Sequence, residues 1–329
     1  QGRATKPSVF PKKTINEGKK QRMIKVFIDG SQGTTGLRLK DRLMERKDIE
    51  LLTISEEERK SLPARAQKVA EADVAFLCLP DAASRELVET VKDVDTKIID
   101  TSTAFRCDDR WAYGFPELGI SFLEKIRNGS RISVPGCHAS GSIAVIAPLV
   151  QMGLVSPSRT LTITSLTGYS GGGKKMIAEY EGPHDHEVDA PRIYALGQTH
   201  KHLPEIKKYT GLASLPIFLP IVAPYYSGML VTVGIENRDH QRLEDIRQGY
   251  REFFGPSPFI SVAGEEENPV MLGSNTLSGK DSMRLYICGN MDRITVSAQF
   301  DNLGKGASGA ALESMNIALG LDPTTGLSL

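Results

Sequence analysis

Cysteine is scarce: Cys78, Cys107, Cys137 and Cys288 are the only four in 329 residues, far apart and in no C-x-x-C pair. That spacing excludes a disulfide scaffold and a thiolate-rich structural zinc site, and it fits a reducing, cytoplasmic setting. Net charge is missing too, because 40 Lys and Arg balance 40 Asp and Glu. No global field draws the chain to nucleic acid or to an anionic membrane, so any anion site must be local. No apolar run approaches the roughly 18 to 20 residues that cross a bilayer, and there is no internal repeat or low-complexity tract. What remains is ordinary: 40% hydrophobic and 24% charged residues, in a chain long enough for two domains.

Residues 1–22 carry Arg3, Lys6, Lys12, Lys13, Lys19, Lys20 and Arg22 against the single acid Glu17, with little apolar periodicity. The expectation is a disordered arm or tag. A basic, acid-poor segment reads equally as the remnant of an organellar leader or as sequence upstream of a start at Met23.

From Met23 onward the pattern is βαβ. Ile24 to Ile28 is an apolar run that ends in Gly30-x-x-Gly33-x-x-Gly36, after which Leu37, Leu39, Leu43 and Met44 recur at helical spacing. Further strands are predicted at Ile49 to Ile54, Val74 to Leu79 and Lys97 to Ile99, ending at Ser55, Pro80 and Asp100. Alternating strands and helices imply a parallel sheet whose ligands bind at the carboxyl ends of the strands. Beyond residue 150 the texture becomes β-rich, with runs at 160–166, 217–222, 229–237, 286–290 and 294–300 and few intervening helices. The fold class expected is therefore α/β: a Rossmann-type parallel-sheet domain plus a second α+β catalytic domain with a mixed sheet. The boundaries are 23–136 plus 302–329 for the dinucleotide domain and 137–301 for the catalytic and oligomerisation domain. Asn302 to Gly309 is a glycine-rich turn opening a final helix that folds back on the first domain.

Cys137 stands where an apolar strand, Ile132 to Val134, breaks at Pro135-Gly136 and a helix-like run begins. A thiol at a helix N-terminus is expected to ionise readily, since backbone N–H groups and the helix dipole favour the thiolate nucleophile; the alternative is a small buried thiol that fills space. Gly30 to Gly36, with Ser31, Thr34 and Thr35, lies directly between a strand and a helix, where a pyrophosphate-binding turn belongs, and no Gly-Lys-Ser/Thr follows to make it a P-loop. Ser55 and Arg59 near the end of the second strand suit a ribose 2′-phosphate and lean to NADP, whereas Glu56 suits the free hydroxyl of NAD. His200-Lys201-His202-Leu203-Pro204-Glu205 offers an imidazole base and a carboxylate. In an extended segment the two histidines point the same way, as a metal pair would, but no further ligand spacing accompanies them, and a thiol with a histidine partner explains the cluster without metal. Arg106 and Lys174 are candidates to hold an anionic substrate.

Gly30 to Gly36, Leu79-Pro80-Asp81, Asp100 to Arg106, Pro135-Gly136-Cys137, Tyr194 through Glu205 and Asn302 to Gly309 together resemble the type 2 N-acetyl-gamma-glutamyl-phosphate reductases, relatives of aspartate-semialdehyde dehydrogenase. The resemblance runs from about Met23 to the C-terminus. It implies Cys137 as nucleophile, His200 as acid/base and Glu205 as the residue orienting the imidazole. Tyr194 and His202 match substrate-binding positions, while Pro80, Ser102, Asn302 and Gly304 join the glycine turn on the cofactor side. The implied reaction is reduction by NADPH of an acyl phosphate, N-acetyl-L-glutamyl 5-phosphate, to the semialdehyde through a cysteine thioester, in arginine biosynthesis, by a homo-oligomer (dimer or tetramer) with no metal. His138 stands where type 1 relatives have tyrosine, and its role is open. Competing readings are reductases of aspartyl or aminoadipyl phosphates, a cofactor-free Cys/His hydrolase or acyltransferase, and a non-catalytic dinucleotide sensor.

Overall fold

The computed structural model describes residues 22–267 and 269–329. The basic arm, apart from Arg22, lies outside the described residues. Two sheets organise the rest. The first is formed by β1 (Ile24–Asp29), β2 (Ile49–Leu52), β3 (Val74–Leu77), β4 (Lys97–Asp100), β5 (Ala112–Tyr113) and β6 (Arg131–Ser133). It is parallel throughout, in the order β2-β1-β3-β4-β6-β5. Its central strands are apolar on both faces, as a sheet covered by helices on each side requires: Val74, Ala75, Phe76 and Leu77 of β3 are all fully buried. The chain leaves β1 toward β2 on one side and returns to β3 on the other, so a crevice opens above the carboxyl ends of β1 and β3.

Helix α1 (Thr34–Met44) starts over that crevice. Leu39 and Leu43, one turn apart, are its buried stripe, whereas Leu37 and Met44 of the expected apolar face are 49% and 65% exposed. Two strands, β2 and β3, end two residues earlier than the sequence suggested. β2 stops at Leu52, so Ser55 lies in the following turn, where its hydroxyl accepts from the Glu58 N–H and donates to the Glu58 carboxylate.

The second sheet is mixed, formed by β7 (Thr162–Gly168), β8 (Arg192–Ile193), β9 (Ile217–Ala223), β10 (Met229–Glu236), β11 (Ile260–Val262), β12 (Met283–Gly289) and β13 (Arg293–Phe300), in the order β11-β12-β13-β10-β7-β9-β8. β7 and β9 pair parallel, while β10 pairs antiparallel with both β7 and β13. More helix interrupts it than expected: α6 (Gly173–Glu181), α7 (Leu203–Thr210) and α8 (Leu243–Phe254) all lie between its strands. Amphipathic patterning explains the last, since Ile246, Tyr250 and Phe254 at four-residue spacing are buried.

Helix α5 (Cys137–Gln151) joins the two halves. It is apolar nearly all round, its residues from His138 to Leu149 are buried, and its core packs with Val231, Val233 and Phe300 of the mixed sheet. Such a helix is held on every side, which fixes its N-terminus and Cys137. The last helix, α9 (Gly309–Ala318), packs Ala310, Ala311, Leu312 and Met315 into the core that holds Val26, Phe76 and Ile99. The preceding turn is wider than an α-helical one, a π-turn over Gly304–Ser308.

Candidate active site

The first turn of α1 and the first turn of α5 face one cleft of about 470 Å³. Gly33, Thr34, Thr35 and Gly36 line one end, Cys137, Arg106, Tyr194, His200 and His202 line the other, and Asn302 lies between. The glycine turn is built for closeness. Gly30 has φ of +83°, and a Cβ on it would come within 2.3 Å of the Cys78 carbonyl oxygen on the neighbouring strand end. Thr34 Oγ1 is buried and unpartnered at the first residue of α1, beside N–H groups that no helical carbonyl accepts. A second cleft on the far side of the turn is lined by Gly30, Ser31, Glu56, Arg59, Lys60 and Arg65. There Arg65 Nε donates to Asp29 Oδ2 at 2.7 Å while its buried Nη2 has no partner. Unspent donors on both sides of a tight turn fit a ligand with phosphates along its length. Arg59, expected to meet a 2′-phosphate, lines this second cleft and pairs with Glu56 at 2.9 Å.

Cys137 is the first residue of α5, with Gly136 as N-cap. Burial pushes its thiol up, opposed by the Arg106 charge, by the His138 backbone N–H and by Lys201. Burial here therefore opposes the ionisation that the helix terminus favours. Gly136 is required for crowding, because a Cβ there would meet Arg106 Nη1 and His202 Nε2 at 2.4 Å each.

The histidine segment is a turn leading into α7, not an extended strand. His200 and His202 stack edge-on with centroids 4.7 Å apart, and the His202 N–H donates to His200 Nδ1 at 3.2 Å. Burial, then Lys201, lowers His200 to about 4, and burial holds His202 well below the usual histidine range. Both are neutral near pH 7. No cluster of metal-ligating side chains occurs among the described residues.

Glu205 does not orient His200. Its Oε1 accepts from the Gly136 N–H at 2.9 Å and from the Tyr113 hydroxyl at 2.7 Å, and its Oε2 pairs with Arg106 Nη1 at 3.3 Å. Fully buried, it ties the turn before Cys137 to the Arg106 guanidinium. Arg106 also donates from Nη2 to the Thr101 carbonyl at 2.9 Å, which leaves its buried Nε unpartnered.

Other expected residues sit elsewhere. Ser102 donates to Asp100 Oδ1 at 2.6 Å and so shapes the loop that carries Arg106. Pro80 caps α3 (Asp81–Thr90), and its neighbours Cys78 and Leu79 line the cleft instead. Gly304 packs against the Lys280 carbonyl outside the cleft, while Leu303, Gly306 and Ala307 line it. Asn302 is held from within, accepting the Gly228 N–H at 2.9 Å and donating to Ser170 at 3.0 Å. Lys174 lies in a separate depression beside Arg38 and Asp41. The cationic wall role passes to Lys201, which the sequence displayed between the two histidines without distinguishing it from a surface lysine. Also missed was a chain through His138: its Nδ1 lies 2.7 Å from Ser165 Oγ and its Nε2 lies 2.6 Å from the Tyr194 hydroxyl.

Residues 25–126 match the semialdehyde dehydrogenase NAD binding domain, and residues 137–302 match the semialdehyde dehydrogenase dimerisation domain. An N-acetyl-gamma-glutamyl-phosphate reductase of Nostoc sp. is 39% identical over 318 residues, covering 92% of this chain and 99% of its own. Another, from Sinorhizobium fredii, is 41% identical over 303 residues, covering 90% and 98%. Among solved structures, the aspartate semialdehyde dehydrogenase II of Vibrio cholerae superposes with a TM-score of 0.69 at 17% identity, covering 91% of this chain and 99% of that one. The aspartate semialdehyde dehydrogenase of Candida albicans, solved with NADP, gives 0.64 at 17% identity, covering 90% and 98%. At that identity the likeness is one of fold.

Proposed function

The chain belongs to the N-acetyl-gamma-glutamyl-phosphate reductase family of the semialdehyde dehydrogenases, and from that premise we propose that it reduces N-acetyl-L-glutamyl 5-phosphate to the 5-semialdehyde and inorganic phosphate with NADPH, a step of arginine biosynthesis. One observation carries the reading: Cys137, at the buried N-terminus of α5, shares a single cleft with the glycine turn and with His200.

The glycine turn, Thr34 and Asn302 would hold the nicotinamide half of NADP, with Arg59 and Lys60 on the adenosine half. What bound NADPH supplies there is a hydride for the thioester carbon. The protein's own part begins with Cys137. Its thiol is neutral in the free enzyme, so the proton leaves as sulfur attacks the acyl carbon, with a neutral imidazole, His200, lining the same cleft to receive it. The carbon–oxygen bond to phosphate breaks, phosphate departs with the bonding electrons, and a Cys137 thioester remains. After reduction the oxygen carries a negative charge; as it re-forms the carbonyl the carbon–sulfur bond breaks, sulfur leaves with the bonding electrons and takes back the proton held on His200, and the semialdehyde is released. Arg106, with its unspent Nε, holds the anionic group of the substrate. Glu205 places both Arg106 and the Gly136 turn.

In this reading residues 23–136 plus 302–329 form the dinucleotide unit and 137–301 the catalytic unit, which also builds a dimer or tetramer in the cytoplasm. Among the described residues no helix is long and apolar enough to cross a membrane. The test is NADPH consumption across N-acetylglutamyl, aspartyl and aminoadipyl phosphates, run in reverse as phosphate-dependent NADP reduction with each semialdehyde. Highest kcat/KM on the N-acetylglutamyl pair is expected. Preference for another pair would move the substrate assignment, and turnover without cofactor would replace it with a hydrolase.

A further inference from the structure

His138 follows the nucleophile directly, is 3% exposed, and spends both ring nitrogens on hydroxyls, Nδ1 on Ser165 at 2.7 Å and Nε2 on Tyr194 at 2.6 Å. Which way protons run along this chain follows from Ser165. It lies in β7 with no solvent exposure, and among the described residues His138 is its hydroxyl's only partner. A buried hydroxyl hydrogen without an acceptor is costly, so Ser165 donates to Nδ1. The ring proton then sits on Nε2 and donates to the Tyr194 oxygen, and the phenol hydrogen has no partner left among the described residues. It is free to donate into the cleft that Tyr194 shares with Cys137.

The surroundings keep this order. The His138 ring is walled by Phe218, His200 and His202 at centroid distances of 5.3, 5.5 and 5.6 Å. Burial above all, with the Lys201 ammonium and the neighbouring His200 ring also disfavouring a positive charge, lowers it to about 3, so it stays neutral and keeps an acceptor for Ser165. Burial also holds the Tyr194 phenol above its ordinary range, and the nearby Cys137 sulfur further disfavours a phenolate, so it remains a neutral donor. The Tyr194 backbone is pinned where its N–H donates to the Pro220 carbonyl at 3.0 Å. The following loop is over-determined, with Ala195 and Gln198 at φ of 50° and 56° and Gln198 doubly bonded to the Phe218 backbone.

We propose that Ser165, His138 and Tyr194 form a directed hydrogen-bond chain that presents the Tyr194 hydroxyl proton to the acyl oxygen of the group on Cys137. Tyr194 is then the catalytic donor to the oxygen that gains negative charge in attack and in reduction, and His138 and Ser165 are positioning residues. No proton is transferred along the chain. This rests on the acyl-phosphate reading above.

The experiment is a double-mutant cycle on kcat, with KM and NADPH affinity measured for each variant. Tyr194→Phe removes the donor and should lower kcat by about 10²-fold, as loss of one oxyanion donor does. Ser165→Ala lets the ring proton move to Nδ1 and draws the phenol hydrogen back onto Nε2; kcat should fall about tenfold with KM and NADPH affinity held, the mark of an interaction made in the transition state. Ser165→Thr, which keeps the hydroxyl, should restore it. In the Tyr194→Phe background Ser165→Ala should cost nothing further. An equal loss in both backgrounds, or no loss in wild type, would overturn the chain while leaving the reductase reading intact. Absence of wild-type turnover on every acyl phosphate would overturn both.

Discussion

Replacing Glu205 by glutamine separates the role the structure gives this carboxylate from the one its sequence neighbourhood suggests. The Gln carbonyl can still accept from the Gly136 N–H and the Tyr113 hydroxyl, 2.9 and 2.7 Å from Oε1 in the wild type. Its amide, however, brings a donor toward Arg106 Nη1, now 3.3 Å from Oε2, and leaves a guanidinium only 7% exposed with the Thr101 carbonyl as its remaining partner. Removing one member of a buried pair costs about 3–5 kcal/mol. The long contact and the retained carbonyl place Glu205→Gln near about 3 kcal/mol, read as a lowered urea midpoint. Glu205→Ala also strands the Gly136 N–H and Tyr113 hydroxyl, at about 1–3 kcal/mol each, and should be worse. Turnover should fall in both, because Arg106 and the Cys137 turn loosen together. The acid limb of the kcat/KM profile should stay where it is in Glu205→Gln, since Glu205 does not touch His200. A displaced limb with an unchanged urea midpoint would refute this and return Glu205 to orienting the imidazole.

Burial lowers His138 to about 3 and His200 to about 4, against an ordinary value near 6.5 in the unfolded chain. The unfolded histidines therefore bind more protons between those limits, so stability should fall as pH drops from about 6.5 toward 4; a urea midpoint flat over that range would contradict it. Lys305 is buried between Glu117 and Glu313 and lies over the rings of Phe115 and Phe259 at 5.4 and 4.8 Å. Lys305→Met leaves two buried carboxyls without their cation and should destabilise by about 3–5 kcal/mol, whereas a loss under about 1 kcal/mol would mean that one carboxyl already holds a proton and the pair needs no cation. Arg59→Ala should weaken NADP binding more than NAD binding in titrations, and equal losses would assign the 2′-phosphate to Lys60 or Lys40 on the same cleft.

The glycine turn and the Cys137 terminus were legible because each is a local event: an apolar strand, a break at Gly or Pro-Gly, and a helix, all within a dozen residues. A second sheet was legible in the β-rich runs, but those runs fit a mixed or an antiparallel sheet equally, and only the parallel β7–β9 pairing decides it. Partners were not. Glu205 meets Gly136 across 69 residues and His138 meets Ser165 across 27, and nothing in periodicity says which buried acceptor faces which donor. Lys201 and Lys174 look alike as sequence, yet the turn before α7 puts one in the cleft and α6 turns the other toward α1. The burial that opposes ionisation of Cys137 was hidden for a related reason: helix position is local, but desolvation depends on everything packed around it.

The central claim is that Cys137 carries the acyl group, and mass spectrometry tests it directly. Enzyme mixed with N-acetylglutamyl phosphate in the absence of NADPH should release phosphate in a burst equal to the enzyme concentration. A single acyl adduct should map to the peptide containing Cys137, and both signals should vanish in Cys137→Ser. Phosphate release that persists in Cys137→Ser, or an adduct that maps to Cys78 on the same cleft, would contradict the account.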